Sequence, residues 1–171
     1  MTESFTLRAP SADEHAAIAT LLTAAFQGPD EARLVDLLRR SGAMLLERVA
    51  VDGAALLGHI AFSRVTVTDG DDTVRIAALA PLAVRPDLQR RGIGSALVRD
   101  GLKELRTRGE DLAVVVGDTA YYPRFGFSTE LARQVSCSWS GPAFMAMALA
   151  PDADRHLPVS VAFAEPFALF E

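Results

Sequence analysis

Cysteine is almost missing from this chain. Cys137 stands alone, so neither an internal disulfide nor a thiolate metal cluster can form. Its expected place is that of a small, half-buried hydrophobe in a strand. Histidine is also sparse. His15, His59 and His156 lie far apart with no ligand spacing, so no metal site is expected. Positive charge is not in excess: 17 Lys and Arg face 22 Asp and Glu, for a net charge of -5. A general nucleic-acid binder needs the opposite balance to neutralise phosphates. No apolar run approaches the length of a membrane span. The opening Met1-Thr2-Glu3-Ser4 lacks the basic-then-apolar pattern of a signal peptide. The expectation is a cytoplasmic protein with neither a membrane nor a nucleic acid as partner. The serines have no nucleophile-elbow setting, and no Ser/His/Asp or Cys/His constellation is visible.

What is present is ordinary globular material. Of 171 residues, 50% are hydrophobic and 23% charged, which suits one domain over residues 1–171 with a proper core. Residues 4–8 read as a first strand. Ser11 and Glu14 make a capping-box pair that starts a helix, with Ile18, Leu21, Leu22, Ala25 and Phe26 on its buried side. Gly28-Pro29 breaks it. A second helix runs from Asp30, with Leu34, Leu37 and Leu38 as its stripe and Gly42 as its cap. Residues 44–51 and 54–67 are strand-like around the hairpin signal Asp52-Gly53. A strand over 74–84 follows, and Pro81 within it reads either as an edge or bulge or as a splay that frees backbone groups. A helix to about Arg108 leads to the apolar run Leu112–Val116, a strand covered on both faces. Strand, helix and strand form one crossover unit, so the two strands should be parallel neighbours. Residues 119–125 read as a short helix, 135–139, 144–149 and 159–163 as strands, and 151–158 as a surface loop. The fold class is α/β (α+β): a mixed, mostly antiparallel sheet of six or seven strands flanked by about four helices.

The most informative stretch runs from Leu82-Ala83-Val84 through Gln89-Arg90-Arg91-Gly92-Ile93-Gly94-Ser95. A strand enters a basic glycine turn, and the turn enters a helix. That order aims free N–H groups and a helix N-terminus at one point, which suits an anion such as phosphate. Arg85, Arg90 and Arg91 add local positive charge. The turn is not a nucleotide-triphosphate loop, because the lysine followed by Ser or Thr is missing. It is not a dinucleotide fingerprint either, because the third glycine and the distal acidic residue are missing. Taken alone, the same turn also reads as an ordinary strand-to-helix connection.

Gln89-x-x-Gly92-x-Gly94 after Leu82-Ala83-Val84 resembles the acyl-CoA signature of the GNAT superfamily of N-acyltransferases. Tyr122-Pro123-Arg124-Phe125-Gly126-Phe127 resembles that superfamily's Tyr-x-x-x-Gly-Phe element. The wording from Gly117-Asp118 to Phe127 looks like its YhbS-like branch. Element order matches over nearly the whole chain. The resemblance implies a splay between the two central parallel strands, with the thioester lying there. Backbone groups of Leu82, Ala83 and Val84 would pair with the pantetheine arm of acetyl-CoA. The turn from Arg90 to Ser95 would hold the pyrophosphate, and a primary amine would attack the acyl carbon directly. It also makes Tyr122 the general acid for the leaving thiolate, while Tyr121 packs or touches substrate.

The amine must first lose a proton, since an alkylamine has a pKa near 10.4. Many members of the superfamily use a carboxylate on the fourth strand, and residues 75–84 contain no Asp or Glu. Glu31, His59 and Asp118 are the base candidates. Each has a plainer reading: a first-turn charge, a sheet histidine and a helix cap. Selection of the rare neutral amine without a base is a further alternative. The missing carboxylate also keeps open a non-catalytic acyl-CoA sensor or regulatory subunit. The acceptor is not encoded legibly: a small amine, a peptide N-terminus and a lysine side chain all fit. Dimerisation through the C-terminal strands is a further expectation.

Overall fold

The chain enters through a short strand, β1 (Thr6–Arg8), and turns at Ser11. Glu14 reaches back to accept the Ser11 N–H at 2.9 Å and is gripped by Arg8 at 2.7 Å. This is the capping box read from the sequence, built on one turn of 3-10 helix. Helix α1 (His15–Phe26) follows and ends where Gln27 turns left-handed at φ 56°. Helix α2 (Asp30–Arg40) carries Asp30 and Glu31 in its first turn and Arg39 and Arg40 in its last, each sign matched to the helix dipole. Strands β2 (Met44–Asp52) and β3 (Ala55–Asp69) are joined by Gly53 and Ala54, with Gly53 at φ 58°. A connection that short makes them an antiparallel hairpin. The computed structural model describes residues 4–171.

Strand β4 (Ile76–Val84), helix α3 (Ile93–Thr107) and strand β5 (Leu112–Val116) form the expected crossover. β4 and β5 are parallel, with Ile76–Ala78 set against Leu112–Val114, and β4 runs on to Val84. Pro81 lies inside β4 without ending it. Helix α4 (Thr129–Ala132) and strands β6 (Val135–Ser136), β7 (Phe144–Ala148) and β8 (Val159–Ala162) complete the chain. The sheet order is β1-β2-β3-β4-β5-β7, and β8 pairs with both β3 and β6. The sheet thus has eight strands rather than six or seven, because the short β6 and β8 both join it. Residues 119–125 differ from the helix expected there: only Tyr122–Phe125 wind, as 3-10 helix. The fourth α-helix instead starts at Ser128, whose side chain accepts the Leu131 N–H at 3.1 Å. Residues 151–158 hold a 3-10 turn with Ala153 buried, where a plain loop was expected.

The chain divides into two compact units. One holds the chain through Phe62 with Ala80–Gly101 and Pro166–Glu171; the other holds Ser63–Leu79 and Leu102–Glu165. In the first, Ile18, Leu22 and Val35 of α1 and α2 pack with Val49, Val51 and Ala83. The opposite face of β3 receives α3. A Cβ on Gly58 would lie 3.0 Å from Leu97 Cδ1, and one on Gly101 would collide with the buried Phe62 ring. Arg48 on β2 reaches Asp100 on α3 at 2.7 Å. In the second unit, Leu112 and Val114 of β5 pack with Ile76, Ala78, Phe144, Ala146 and Val161. Cys137 packs against this core just beyond β6, half-buried. Glu110 is buried there, held by Arg64 at 2.6 Å and Arg75 at 2.8 Å.

Gly101→Ala tests the seating of α3. Alanine favours helix by about 1 kcal/mol, but overpacking costs about 1–3 kcal/mol. Urea unfolding should show a net loss of stability. Combined with Phe62→Leu, the double variant should cost less than the sum of the single changes. Strict additivity would show that the two residues do not share this space.

Candidate active site

The strand-turn-helix stretch is organised from β4 outward. Leu82 and Val84 are half-buried and Ala83 is buried. The Arg85 N–H donates to the Leu57 carbonyl at 2.8 Å, holding the end of β4 against β3. Pro86–Leu88 makes a 3-10 turn, and Gln89 folds back to donate from its amide to the Val84 carbonyl at 3.3 Å. Gln89 therefore closes the turn. Arg90 and Gly92 both adopt left-handed backbone, at φ 65° and 87°. Such alternation tips successive N–H groups to one side and forms an anion-binding concavity. The first helical bond of α3 runs from the Ala96 N–H to the Gly92 carbonyl at 3.0 Å. The N–H groups of Ile93 and Gly94 precede it and have no helical carbonyl to meet. Arg85 is engaged by Asp87 through two contacts, at 2.7 and 2.8 Å. Arg90 and Arg91 are exposed at the mouth of the turn and add positive charge there. A Cβ added at Gly92 would meet open space. The backbone there is bare on the side where a Cβ would project.

Tyr122 belongs to the second unit, in the turn after β5. Asp118 builds that turn. Its carbonyl accepts the N–H groups of Tyr121 at 3.0 Å and Tyr122 at 3.1 Å, and its carboxylate accepts the Ala120 N–H at 2.8 Å. The Tyr122 ring lies across Gly117, where a Cβ would stand 2.5 Å from its Cε2. Tyr121 and Phe127 meet the ring edge-on, with centroids at 5.0 and 5.8 Å. Gly126, left-handed at φ 112°, ends the turn. Among the described residues, no partner bonds to the Tyr122 hydroxyl. Burial, then the neighbouring Tyr121 and Asp118, push its pKa up to about 12. The phenol therefore keeps its proton through the neutral range. Tyr121 carries Arg124 over its ring at 4.5 Å.

The three base candidates fare differently. Glu31 sits in the first turn of α2 with no side-chain partner among the described residues, as a charge that suits the helix N-terminus. Asp118 is occupied as a turn cap, and its carboxylate is exposed. His59 is wholly buried in β3, and its Nε2 lies 2.9 Å from Glu47 Oε1. Glu47 is in turn held by Arg39 at 2.7 and 2.9 Å. Burial raises the Glu47 carboxyl, but the bonds from His59 and Arg39 outweigh it and hold the pKa at about 2. Burial pushes His59 below its usual value, against the opposing pull of Glu47. Sequence reasoning missed Glu47 and Arg39, whose roles depend on contacts across the sheet. It quoted Gly117 without its role, as the surface on which Tyr122 lies. Leu82–Ser95, Glu31, His59, Glu47 and Arg39 belong to the first unit, Gly117, Asp118 and Tyr122 to the second. No cluster of three or more His, Cys, Asp or Glu side chains suited to a metal occurs among the described residues.

Known proteins resemble this chain in sequence and in fold. The acetyltransferase (GNAT) domain family matches residues 6–129. The chain is similar to the uncharacterized N-acetyltransferase YhbS of Escherichia coli K12, at 36% identity over 156 residues, covering 90% of this chain and 92% of that protein. Among solved structures, YhbS from Escherichia coli in complex with CoA superposes with a TM-score of 0.89 at 34% identity, covering 98% of this chain and 93% of that one. A GNAT family acetyltransferase from Brucella melitensis in complex with acetyl-CoA superposes with a TM-score of 0.80 at 32% identity, covering 96% and 98%. Likeness of this extent, in sequence and in backbone, makes the chain a member of the GNAT family of N-acetyltransferases.

Proposed function

We propose that the chain transfers the acetyl group of acetyl-CoA directly to a primary amine. The observation that carries this reading is the turn from β4 into α3. Left-handed backbone at Arg90 and Gly92 and the bare start of α3 make a concavity for a pyrophosphate. The relatives solved with CoA and acetyl-CoA support the same donor here. In this reading the backbone of Leu82–Val84 pairs with the pantetheine arm as a neighbouring strand would. The segment from Gln89 to Ser95 receives the phosphates, with Gln89 closing the turn.

Tyr122 serves as the general acid. The amine nitrogen attacks the acyl carbon, the C–S bond breaks, and sulfur takes the phenolic proton. Burial keeps the hydroxyl protonated, as a proton donor must be before the C–S bond breaks. Direct transfer is favoured over an acyl-enzyme because the one thiol, Cys137, packs just beyond β6 and is remote in sequence from both motifs. The alternative, an acyl-CoA sensor, would bind CoA and release no thiol with any amine.

Calorimetry with CoA and thiol release from acetyl-CoA over an amine panel test the reading together. Tyr122→Phe should lower turnover roughly 100-fold or more and leave CoA affinity nearly unchanged. Full activity would remove Tyr122 as the acid. Gly117→Ala should displace the ring and cost turnover on the order of 100-fold, again with CoA affinity retained. Gly92→Asp should abolish CoA binding, because it strains a left-handed position and puts a carboxylate where the phosphate belongs. Retained binding would contradict the pyrophosphate assignment. With the phenol's pKa pushed up to about 12, Tyr122 stays protonated well above its ordinary value of 10.0. The kcat/KM profile should therefore show no falling limb from Tyr122 up to pH 10.

A further inference from the structure

The amine's proton has no evident destination on β4, which carries no carboxylate. The hydrogen-bonded row of Arg39, Glu47 and His59 offers one. Arg39 closes α2, Glu47 lies on β2 and His59 on β3. Glu47 is ionised, so it accepts a hydrogen bond from the Nε2–H of His59 at 2.9 Å. That fixes the tautomer and leaves the lone pair on Nδ1. Nδ1 is fully buried and has no hydrogen-bond partner. Buried polar atoms are nearly always paired, and an orphan costs about 1–3 kcal/mol. A row of this kind is also a poor choice for stability alone. Apolar residues of similar volume often serve a core as well or better.

The place of His59 in the sheet gives the orphan nitrogen a meaning. The Arg85 N–H bonds the Leu57 carbonyl at 2.8 Å, which sets β3 against β4 in antiparallel register. Two residues on, His59 stands level with Ala83. Residues opposite each other in such a pair share one face. Gly58 turns to Leu97 and Ile93 of α3, so His59 turns to the other side of the sheet, where Ala83 packs with α1 and α2. Leu82–Val84 is the segment proposed to carry the pantetheine arm. An imidazole with one free lone pair therefore sits one strand from that segment.

We propose that His59 Nδ1 is the general base for the acceptor amine, reached through a water, with Glu47 and Arg39 as the residues that position it. This rests on the acetyl-transfer reading above. The ammonium gives one proton through water to Nδ1. The N–C bond then forms as the C–S bond breaks. Sulfur takes the Tyr122 proton, and the proton shed by the new amide restores the tyrosine. His59 returns its proton to solvent. The groups that bear on its titration are Glu47 from β2, Arg39 from α2 and His15 from the start of α1. Burial keeps the ring neutral near pH 7, so the base is available there and is lost as pH falls.

The test combines kcat/KM against pH with the ring's nitrogen NMR spectrum. The probes are acetyl-CoA with spermidine, phenethylamine and a lysyl peptide. The wild-type profile should fall on the acid side with a pKa below the ordinary histidine value of 6.5. His59→Gln should lower kcat/KM roughly 100- to 1,000-fold and remove that limb, with CoA affinity and the circular dichroism spectrum retained. Glu47→Gln keeps the ring but removes the charge that favours imidazolium. Its limb should move to lower pH with a reduced plateau, which covers the case in which His59→Gln fails to fold. Independently of any acceptor, the spectrum at pH 7 should show a protonated Nε2 and a bare Nδ1 that responds to acetyl-CoA. A proton on Nδ1, or an unchanged acid limb in both variants, overturns the proposal. Failure to bind CoA at all would instead sink the acetyl-transfer reading on which it stands.

Discussion

The close seating of α3 on β3 is the constraint on which the turn from β4 into α3 depends. Gly58 leaves room for Leu97, Ile93 and the Ala83 carbonyl, and Gly101 leaves room for the Phe62 ring. With side chains at both positions the helix would have to rise off the strand. Its N-terminus would then leave the end of β4, where the Arg85 N–H is tied to Leu57. The left-handed residues Arg90 and Gly92 span a gap whose ends are set by that packing. A turn with unfavourable backbone persists only where its surroundings over-determine it. Here helix packing and the Gln89 bond to Val84 supply that determination.

Each unit also contains a carboxylate withdrawn from solvent, Glu110 fully and Glu47 in large part, and the two are handled differently. Glu110 is gripped from both sides by Arg64 and Arg75, so charge meets charge. Glu47 is shared between one guanidinium and one neutral imidazole. The first arrangement pins the entrance to β5 to the strands beside it. The second leaves a titratable ring at the end of the row. Buried ionic groups are weak evidence for stability, so the contrast between the two is more informative than their presence.

Much of this was legible in the sequence where local chemistry decides local structure. Asp52-Gly53 marks the hairpin because Gly53 takes positive φ without cost. The run Leu112–Val116 marks a central strand because four of its five residues are buried. Ser11 and Glu14 mark a helix start through bonds three residues apart. The short turn at Tyr122 was misread as a longer helix, since Pro123 fits a first turn of either kind and Gly126 ends it early. Helix α4 passed unseen because four residues carry too little periodicity to register. The row through Glu47 was invisible for another reason. Glu47 on a strand reads as a solvent-facing residue, and only the sheet and α2 together show what it touches. Gly117 was likewise a letter in a motif until the Tyr122 ring was seen lying on it.

The pairing of β3 with β8 has a consequence for how the chain acquires its structure. Thr66 meets Ala162, and Val67 meets Val161. The outer half of β3 therefore stays an open edge until β8 has been made. Both compact units include residues from the last part of the sequence, Pro166–Glu171 in one and the stretch to Glu165 in the other. Contacts so distant in sequence are formed slowly, and an unpaired strand edge invites association with other chains in the interval. Strand β8 thus acts as the lock on a late folding step.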